Sequence, residues 1–228
     1  MDVFEAVDSR ISCRQFLTKP VDPAVVRDII TRAARAASGG NLQPWRIHAL
    51  TGAPLAELKR QVATEIATHD PREGATEYPI YPRDMWEPYK SRREEHGVQL
   101  YGALQIARDD KEGRLAQYKR NFESFDAPVL LFVSIERKLG PGQWADLGSY
   151  IHTLMYLARA HGLDTCGQES WARVYKTVGT FLRLPPEQML FCGVAIGYRD
   201  PDHPANLIRS PRAALDDFCS FIGFDEAH

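Results

Sequence analysis

Apolar side chains recur at Val25, Val26, Ile29, Ile30 and Ala33, the three- and four-residue spacing of a helix with one buried face. Asp22 is placed to cap that helix and Pro23 to open it. Val3, Phe4 and Val7 mark one face of a shorter helix over 2–10. Trp45 to Leu50 alternates loosely and reads as a strand, followed by a helix over 54–68. Charged helices fill 90–124. The near-continuous apolar run from Pro128 to Ile135 reads as a strand buried on both sides. Residues 143–161 carry apolar positions on more than one face, which predicts a central helix. A short strand at 163–168, a helix at 172–183 and a strand over 190–198 complete the pattern. Helices outnumber strands, so the fold class is α+β, a layered fold in a single domain over 1–228.

Two stretches do not fit regular elements. From 69 to 89 the chain is rich in Pro, Tyr, Glu and Asp, with prolines at 71, 79, 82 and 88. An irregular excursion of this length is usually functional, and we expect a lid or channel wall at about 69–101. Tyr78, Tyr81, Trp86 and Tyr89 there suit an aromatic ligand; Arg83, Lys90, Arg92 and Arg93 suit an anion. A solvated surface with its aromatics tucked into the core is the alternative. The tail from about 200 to 228 ends in Phe218, Phe221, Ile222 and Phe224, too apolar to stay in water, and should cover either the chain's own core or a second subunit.

A formal charge of −2 gives no electrostatic reason to expect nucleic acid or a membrane surface as partner. The start, Met1 to Glu5, has neither the basic residues nor the apolar run of a secretory signal, so a cytoplasmic protein is expected. The four cysteines, at 13, 166, 192 and 219, form no CxxC pair and read as free thiols. Cys13 stands between Arg10 and Arg14, whose charge would lower its pKa. The seven histidines form no HExxH or HxH, and we expect no metal. No P-loop, GxGxxG helix opening or GxSxG elbow is present.

Four segments carry candidate chemistry. Ser9 to Phe16 places Arg10, Ser12 and Arg14 close together where the first helix ends. Guanidinium forks and a hydroxyl suit phosphate oxygens, although the same arginines would also cap a helix C-terminus. Ser38 to Trp45 combines small residues with the amides of Asn41 and Gln43, which match a donor–acceptor edge. Gly162 to Trp171 runs from a strand into a polar turn holding Gln168, Glu169 and Ser170. Asn206 to Arg212 supplies Arg209 and Arg212.

In order and spacing these segments resemble the nitroreductase family of flavoproteins over nearly the whole chain. The resemblance rests on S-R-x-S-x-R-x-F from Ser9, N-x-Q-P-W from Asn41, N-F-x-x-F-D-A-P from Asn121 and G-Y-x-D-P-D-x-P from Gly197. It implies a central, mainly antiparallel sheet flanked by helices, and an intertwined homodimer with FMN at the subunit interface. Arg10 and Ser12 would hold the phosphate and ribityl end, and Arg14 would lie nearer the pyrimidine edge. Ser38, Asn41 and Gln43 would reach the flavin from the other subunit. Gln168, Glu169 and Ser170 would form the turn whose backbone faces flavin N5. Arg209 and Arg212 would complete the phosphate pocket, and Asn121 would meet the ring edge. The chain departs from many relatives at Ala37, Gly39 and Gly167, which leaves individual contacts in those segments open.

The implied activity is ping-pong transfer of electrons from NADH or NADPH to a small aromatic acceptor, a nitroaromatic or a quinone. Chemistry at flavin N5 needs no catalytic side chain, in keeping with the absence of a triad or metal motif. Tyr81, Trp86 and Tyr89 are the candidate substrate contacts. Reductive dehalogenation, flavin fragmentation and flavin binding without turnover are the competing readings.

Overall fold

A computed structural model describes residues 1–224; the last four residues of the expected tail, 225–228, lie outside the described residues. In chain order the regular elements are α1 (Val3–Ser9), α2 (Pro23–Ala33), β1 (Arg46–Thr51), α3 (Gly52–Glu65), α4 (Tyr89–Ala103), α5 (Lys111–Lys119), β2 (Val129–Glu136), α6 (Pro141–Ala160), β3 (Asp164–Gln168), α7 (Tyr175–Leu182), β4 (Gln188–Gly197) and α8 (Pro204–Leu207). Short 3-10 turns at Gly39–Asn41, Arg120–Asp126, Glu169–Val174 and Leu215–Asp217 join some of them. The strands form one antiparallel sheet in the order β1-β2-β4-β3, and the fold is α+β as expected.

The sheet is buried on both faces, and its strands alternate to match. In β2, Val129, Leu131, Val133 and Ile135 point toward α2 and α6. Leu130 and Phe132 between them point toward α3, α7 and the turn at 120–126. A period of two side chains per strand repeat puts consecutive apolar residues into two different cores. In β4 a bulge opposite Val133 and Ser134 shifts the register. One inserted residue lets Met189 and Cys192, three apart, both face the α2–α6 core. The helix predicted at Asp22 forms as read, with the Asp22 carboxylate accepting the Ala24 N–H at 2.8 Å and Pro23 in the first turn.

Some boundaries move. The predicted helix at 172–183 is a 3-10 turn followed by α7, because Trp171 inserts into the core at that point. Its ring packs edge-on against Phe122 and Phe132, with centroids at 5.5 and 5.1 Å. The ring lies against the backbone of Gly193 on β4, where a Cβ would sit 2.5 Å from Trp171 Cδ1. Only glycine allows that approach. The excursion after α3 is irregular through Pro88, as read, and is pinned to the core at its middle. There Tyr78 donates its hydroxyl to the Phe191 carbonyl at 2.6 Å and stacks on Phe191. Tyr78 is therefore a core residue rather than a ligand contact, because the backbone bond from Glu77 to Ala172 turns it inward.

The described end of the tail, Phe218 to Phe224, does not cover this chain's core. Phe218 is 69% exposed and Ile222 87%, and Phe4 on the outer face of α1 is 76% exposed. None of the described helices is long and apolar enough to cross a membrane. Gly193→Ala should force Trp171 out of position and destabilise the chain by about 1–3 kcal/mol, the usual scale of overpacking in a core. Urea unfolding of the variant against the parent protein measures this.

Candidate functional site

The residues after α1 leave the helix fully extended and run beside the edge of the sheet. Ser12 bridges Thr165 of β3 in parallel, and the Cys13 N–H donates to the Thr165 carbonyl at 2.9 Å. An extended chain sends alternate side chains to opposite sides. Ile11, Cys13 and Phe16 are buried in the core, and Arg10, Ser12 and Arg14 face outward together. The S-R-x-S-x-R spacing therefore places two guanidiniums and a hydroxyl on one side of a strand-like segment.

This geometry corrects the expectation for Cys13. Arg10 and Arg14 project to the side opposite its thiol, and burial pushes the thiol up to about 12. Desolvation outweighs the more distant attraction of Arg199. Cys13 is a packing residue whose Sγ–H meets the Gln15 carbonyl at 3.1 Å.

The second wall comes from the other end of the chain. Asn206, on α8, is 1% exposed. Its Oδ1 accepts the Arg14 backbone N–H at 2.7 Å, and its Nδ2 donates to the carbonyls of Gln15 at 2.8 Å and Asp200 at 2.9 Å. Its own carbonyl accepts from Arg209 Nη1 at 3.0 Å. One buried amide thus fixes where Arg14 leaves the backbone and where Arg209 ends. The third wall is α4, whose Arg92 and His96 lie one helical turn apart on the same face.

These walls enclose a cavity of about 620 Å³ lined by Arg10, Ser12, Arg14, Arg92, His96, Arg209, Ser210 and Arg212, with Asp8 as its one acidic residue among the described residues. Among the described residues, none of the five arginines lies within ion-pair distance of a carboxylate. A concave site holding five guanidiniums and a single carboxylate that pairs with none of them is built for an anion.

Five of the expected residues meet here: Arg10, Ser12, Arg14, Arg209 and Arg212. The others stand elsewhere on this chain. Ser38, Asn41 and Gln43 belong to the tight turn before β1. There Ser38 Oγ accepts the Gln43 N–H at 3.1 Å, and Asp146 of α6 accepts the Gly39 N–H at 3.1 Å. Asn41 and Gln43 both hold positive φ, at 58° and 49°, a conformation that clusters at functional sites when side chains other than glycine adopt it. Both residues are exposed.

Gln168 is 2% exposed, and its side chain binds inward. Its Nε2 donates to the Asn121 carbonyl at 2.7 Å, and its Oε1 accepts from Trp171 Nε1 at 3.3 Å. Asn121 in turn donates to the Tyr118 carbonyl at 2.8 Å. These two side chains brace the turn that carries Glu169 and Ser170. Tyr81, Trp86 and Tyr89 are exposed on the excursion. Arg93 lies 4.4 Å above the Tyr81 ring, and Trp86 meets Tyr89 edge-on at 5.5 Å. Sequence reasoning missed Asn206 and His96. The four-residue spacing of Arg92 and His96 was the available signal for the second. Nothing along the chain marked Asn206 as buried.

Against known proteins, the model of the Nitroreductase family matches residues 7–198. The chain is 39% identical to a 4-nitrobenzoate reductase of Pseudomonas putida, over 98% of this chain and 97% of that protein. It is 34% identical to a nitrobenzene nitroreductase of Ectopseudomonas oleovorans, over 96% of each. Among solved structures it superposes on the FMN and NADPH-dependent nitroreductase NfnB of Sphigopyxis sp. strain HMH. The TM-score is 0.94 and the identity 44%, over 98% of this chain and all of that one.

Asn206→Ala should destabilise the protein by about 2–3 kcal/mol, since a donor and two acceptors lose their buried partner. Asn206→Asp should be no milder, because a carboxylate would face the carbonyls of Gln15 and Asp200; urea unfolding tests both. A thiol reagent at pH 8 should leave Cys13, Cys166 and Cys192 unmodified in the native protein, all three being buried, and label them only after denaturation.

Proposed function

The chain belongs to the nitroreductase family, and from that premise we propose that it is an FMN-dependent NAD(P)H oxidoreductase that reduces nitroaromatic compounds such as 4-nitrobenzoate or nitrobenzene. The observation that carries this reading is the cavity between α1, α4 and α8, where five arginines lack carboxylate partners among the described residues. FMN ends in a phosphate that carries close to two negative charges, and each charge-assisted bond to it is worth about 1.5–3 kcal/mol. The residues fit that group: bidentate forks, the hydroxyls of Ser12 and Ser210 and, among the described residues, no crowding acid other than Asp8.

When bound, FMN supplies the two-electron exchange between the nicotinamide donor and the nitro acceptor. The chain's residues bind and orient. Arg10, Ser12, Arg209 and Arg212 hold the phosphate and ribityl end. Arg14, set by Asn206, faces the pyrimidine edge and stabilises the negative charge that gathers there. The backbone of Gln168, Glu169 and Ser170, braced by Asn121 and Trp171, faces the reactive edge of the ring. Donor and acceptor would use the bound cofactor in turn. Tyr81, Trp86 and Tyr89 on the excursion at 69–101 stack on the acceptor and exclude water.

In this proposal the working unit is a homodimer, with residues 1–228 acting as one domain in each copy. A second copy supplies Ser38, Asn41 and Gln43, which lie outside the arginine cavity of their own chain. It also covers Phe4, Phe218 and Ile222, which this chain leaves in water. The four unpaired cysteines suit the reducing cytoplasm. The named activities of the relatives above 30% identity favour nitro reduction over dehalogenation or flavin fragmentation.

The purified protein should be yellow, elute as a dimer and oxidise NADPH when 4-nitrobenzoate is added. Arg10→Ala or Arg209→Ala should weaken FMN binding by roughly 10- to 100-fold, as expected for a lost charge-assisted bond. A colourless monomer with no affinity for added FMN would overturn the proposal.

A further inference from the structure

Among the described residues His96 is the one imidazole in the arginine cavity, and the binding of the cofactor assigned above does not require it. Its Nε2 lies 3.2 Å from Arg14 Nη2, and its Nδ1 lies 2.9 Å from Ser210 Oγ. A guanidinium has only donors. Nε2 must therefore accept from Arg14, and that nitrogen carries no proton. The remaining ring proton sits on Nδ1 and is donated to Ser210. The neighbours thus select both the neutral state and one tautomer.

Three chain segments meet at this ring. Arg14 comes from the extended strand after α1, Ser210 from the tail after α8, and His96 itself from α4. No residue of α4 is buried, and His96 and Arg92 are its contributions to the cavity. Arg14 has one other side-chain hydrogen bond, from Nη1 to the Ser12 carbonyl at 3.3 Å. Asn206 fixes the Arg14 backbone, and among the described residues His96 is the only side chain that holds the far end of its guanidinium.

We propose that His96 is the positioning residue for Arg14: as an acceptor it aims the guanidinium at the cofactor, and as a donor to Ser210 it latches α4 and the tail around the same anionic pocket. This rests on the placement of FMN argued above. Among the described residues, the charged groups that share the cavity with the ring are Arg14, Arg10 and Asp8 from the N-terminal segment, Arg92 from its own helix, and Arg209 and Arg212 from the tail, of which Arg14 and Arg212 act on it directly. A proton on Nε2 would remove the acceptor and place a sixth cation among the five arginines. Burial, with the charges of Arg14 and Arg212, holds the imidazole below its ordinary value and so keeps it neutral at pH 7. The hold on Arg14 is present above that lowered value and is lost as pH falls through it.

Two measurements test this. The first is the FMN dissociation constant, from quenching of flavin fluorescence, for the parent protein and the variants His96→Leu, His96→Gln, Arg14→Ala and His96→Leu with Arg14→Ala. His96→Leu should weaken FMN at least tenfold. His96→Gln, which keeps an acceptor for Arg14, should stay within threefold of the parent. In the Arg14→Ala background His96→Leu should add nothing, because there is no guanidinium left to aim. The second is the nitrogen-15 spectrum of the histidine rings at pH 7, with His96 assigned by comparison with His96→Gln. It should show the Nδ1-protonated tautomer in the parent protein and lose that bias in Arg14→Ala. Leucine within twofold of the parent, penalties that simply multiply, or a ring protonated at Nε2 would each overturn the proposal. If the parent protein itself fails to bind FMN, that failure belongs to the functional reading, and the tautomer alone decides the role of His96.

Discussion

A single buried amide holds the two ends of the chain at one place. Asn206 satisfies the Arg14 N–H and the carbonyls of Gln15 and Asp200 at once, joining residues 192 positions apart. Without it, the strand after α1 would present unpaired backbone groups to a dry interface, at about 1–3 kcal/mol for each. The arginines gain their meaning from that joint. Arg10 and Arg14 arrive with the first strand, and Arg209 and Arg212 arrive with the last segment. Like charges would keep these segments apart unless something neutral bound them first. The amide does so without adding charge, which leaves the field of the guanidiniums free for a ligand.

The central sheet explains why the cavity lies where it does. Both faces of β2 and β4 are covered, and apart from Phe191 at the bulge the middle of the sheet is buried. Function must then occupy the rim. On one edge, β3 is short and ends in the turn at Glu169, and the N-terminal strand pairs beside it through Ser12 and Thr165. The turn keeps its shape because Trp171, lodged against Gly193, bonds to Gln168, which in turn binds Asn121. Core packing and site geometry are one chain of contacts from β4 to the rim.

Much of this was legible along the chain, and what was not has physical causes. Helical and strand periodicities located the elements because each had a core face to satisfy. The residue types of the S-R-x-S-x-R segment read as a phosphate cradle, and its Arg10, Ser12 and Arg14 do line one cavity. Its true form, an extended strand with alternating sides, also explains why Cys13 is inert, and that depended on pairing with β3 far along the sequence. Tyr78 read as a ligand contact beside Tyr81, Trp86 and Tyr89, because composition alone does not distinguish the one aromatic that a distant backbone bond pulls inward. Asn121 read as a ligand amide and Gln168 as part of a turn whose backbone faces the ligand. An amide near a ligand turn and an amide bracing that turn look the same until the partners are known.

The turn at 38–43 holds two side-chain-bearing residues in left-handed backbone, a strain of about 1–3 kcal/mol for each. Within this chain the return is a few turn bonds and the Asp146 contact to Gly39, so Asn41 and Gln43 are held in a strained form while facing water. The apolar surfaces of α1 and the tail present the same imbalance. Burying a side chain such as Phe or Ile contributes about 1.5–3 kcal/mol, yet Phe4, Phe218 and Ile222 remain exposed. Two independent deficits, one of strain and one of exposed apolar area, are resolved together by the second copy proposed here, which brings a preformed polar turn to the cavity as it covers the apolar surface. In that proposal the arginines of one chain and the amides of the other would each be held in shape before they meet. The ligand would then bind to a pocket whose ordering cost has already been met in folding and assembly.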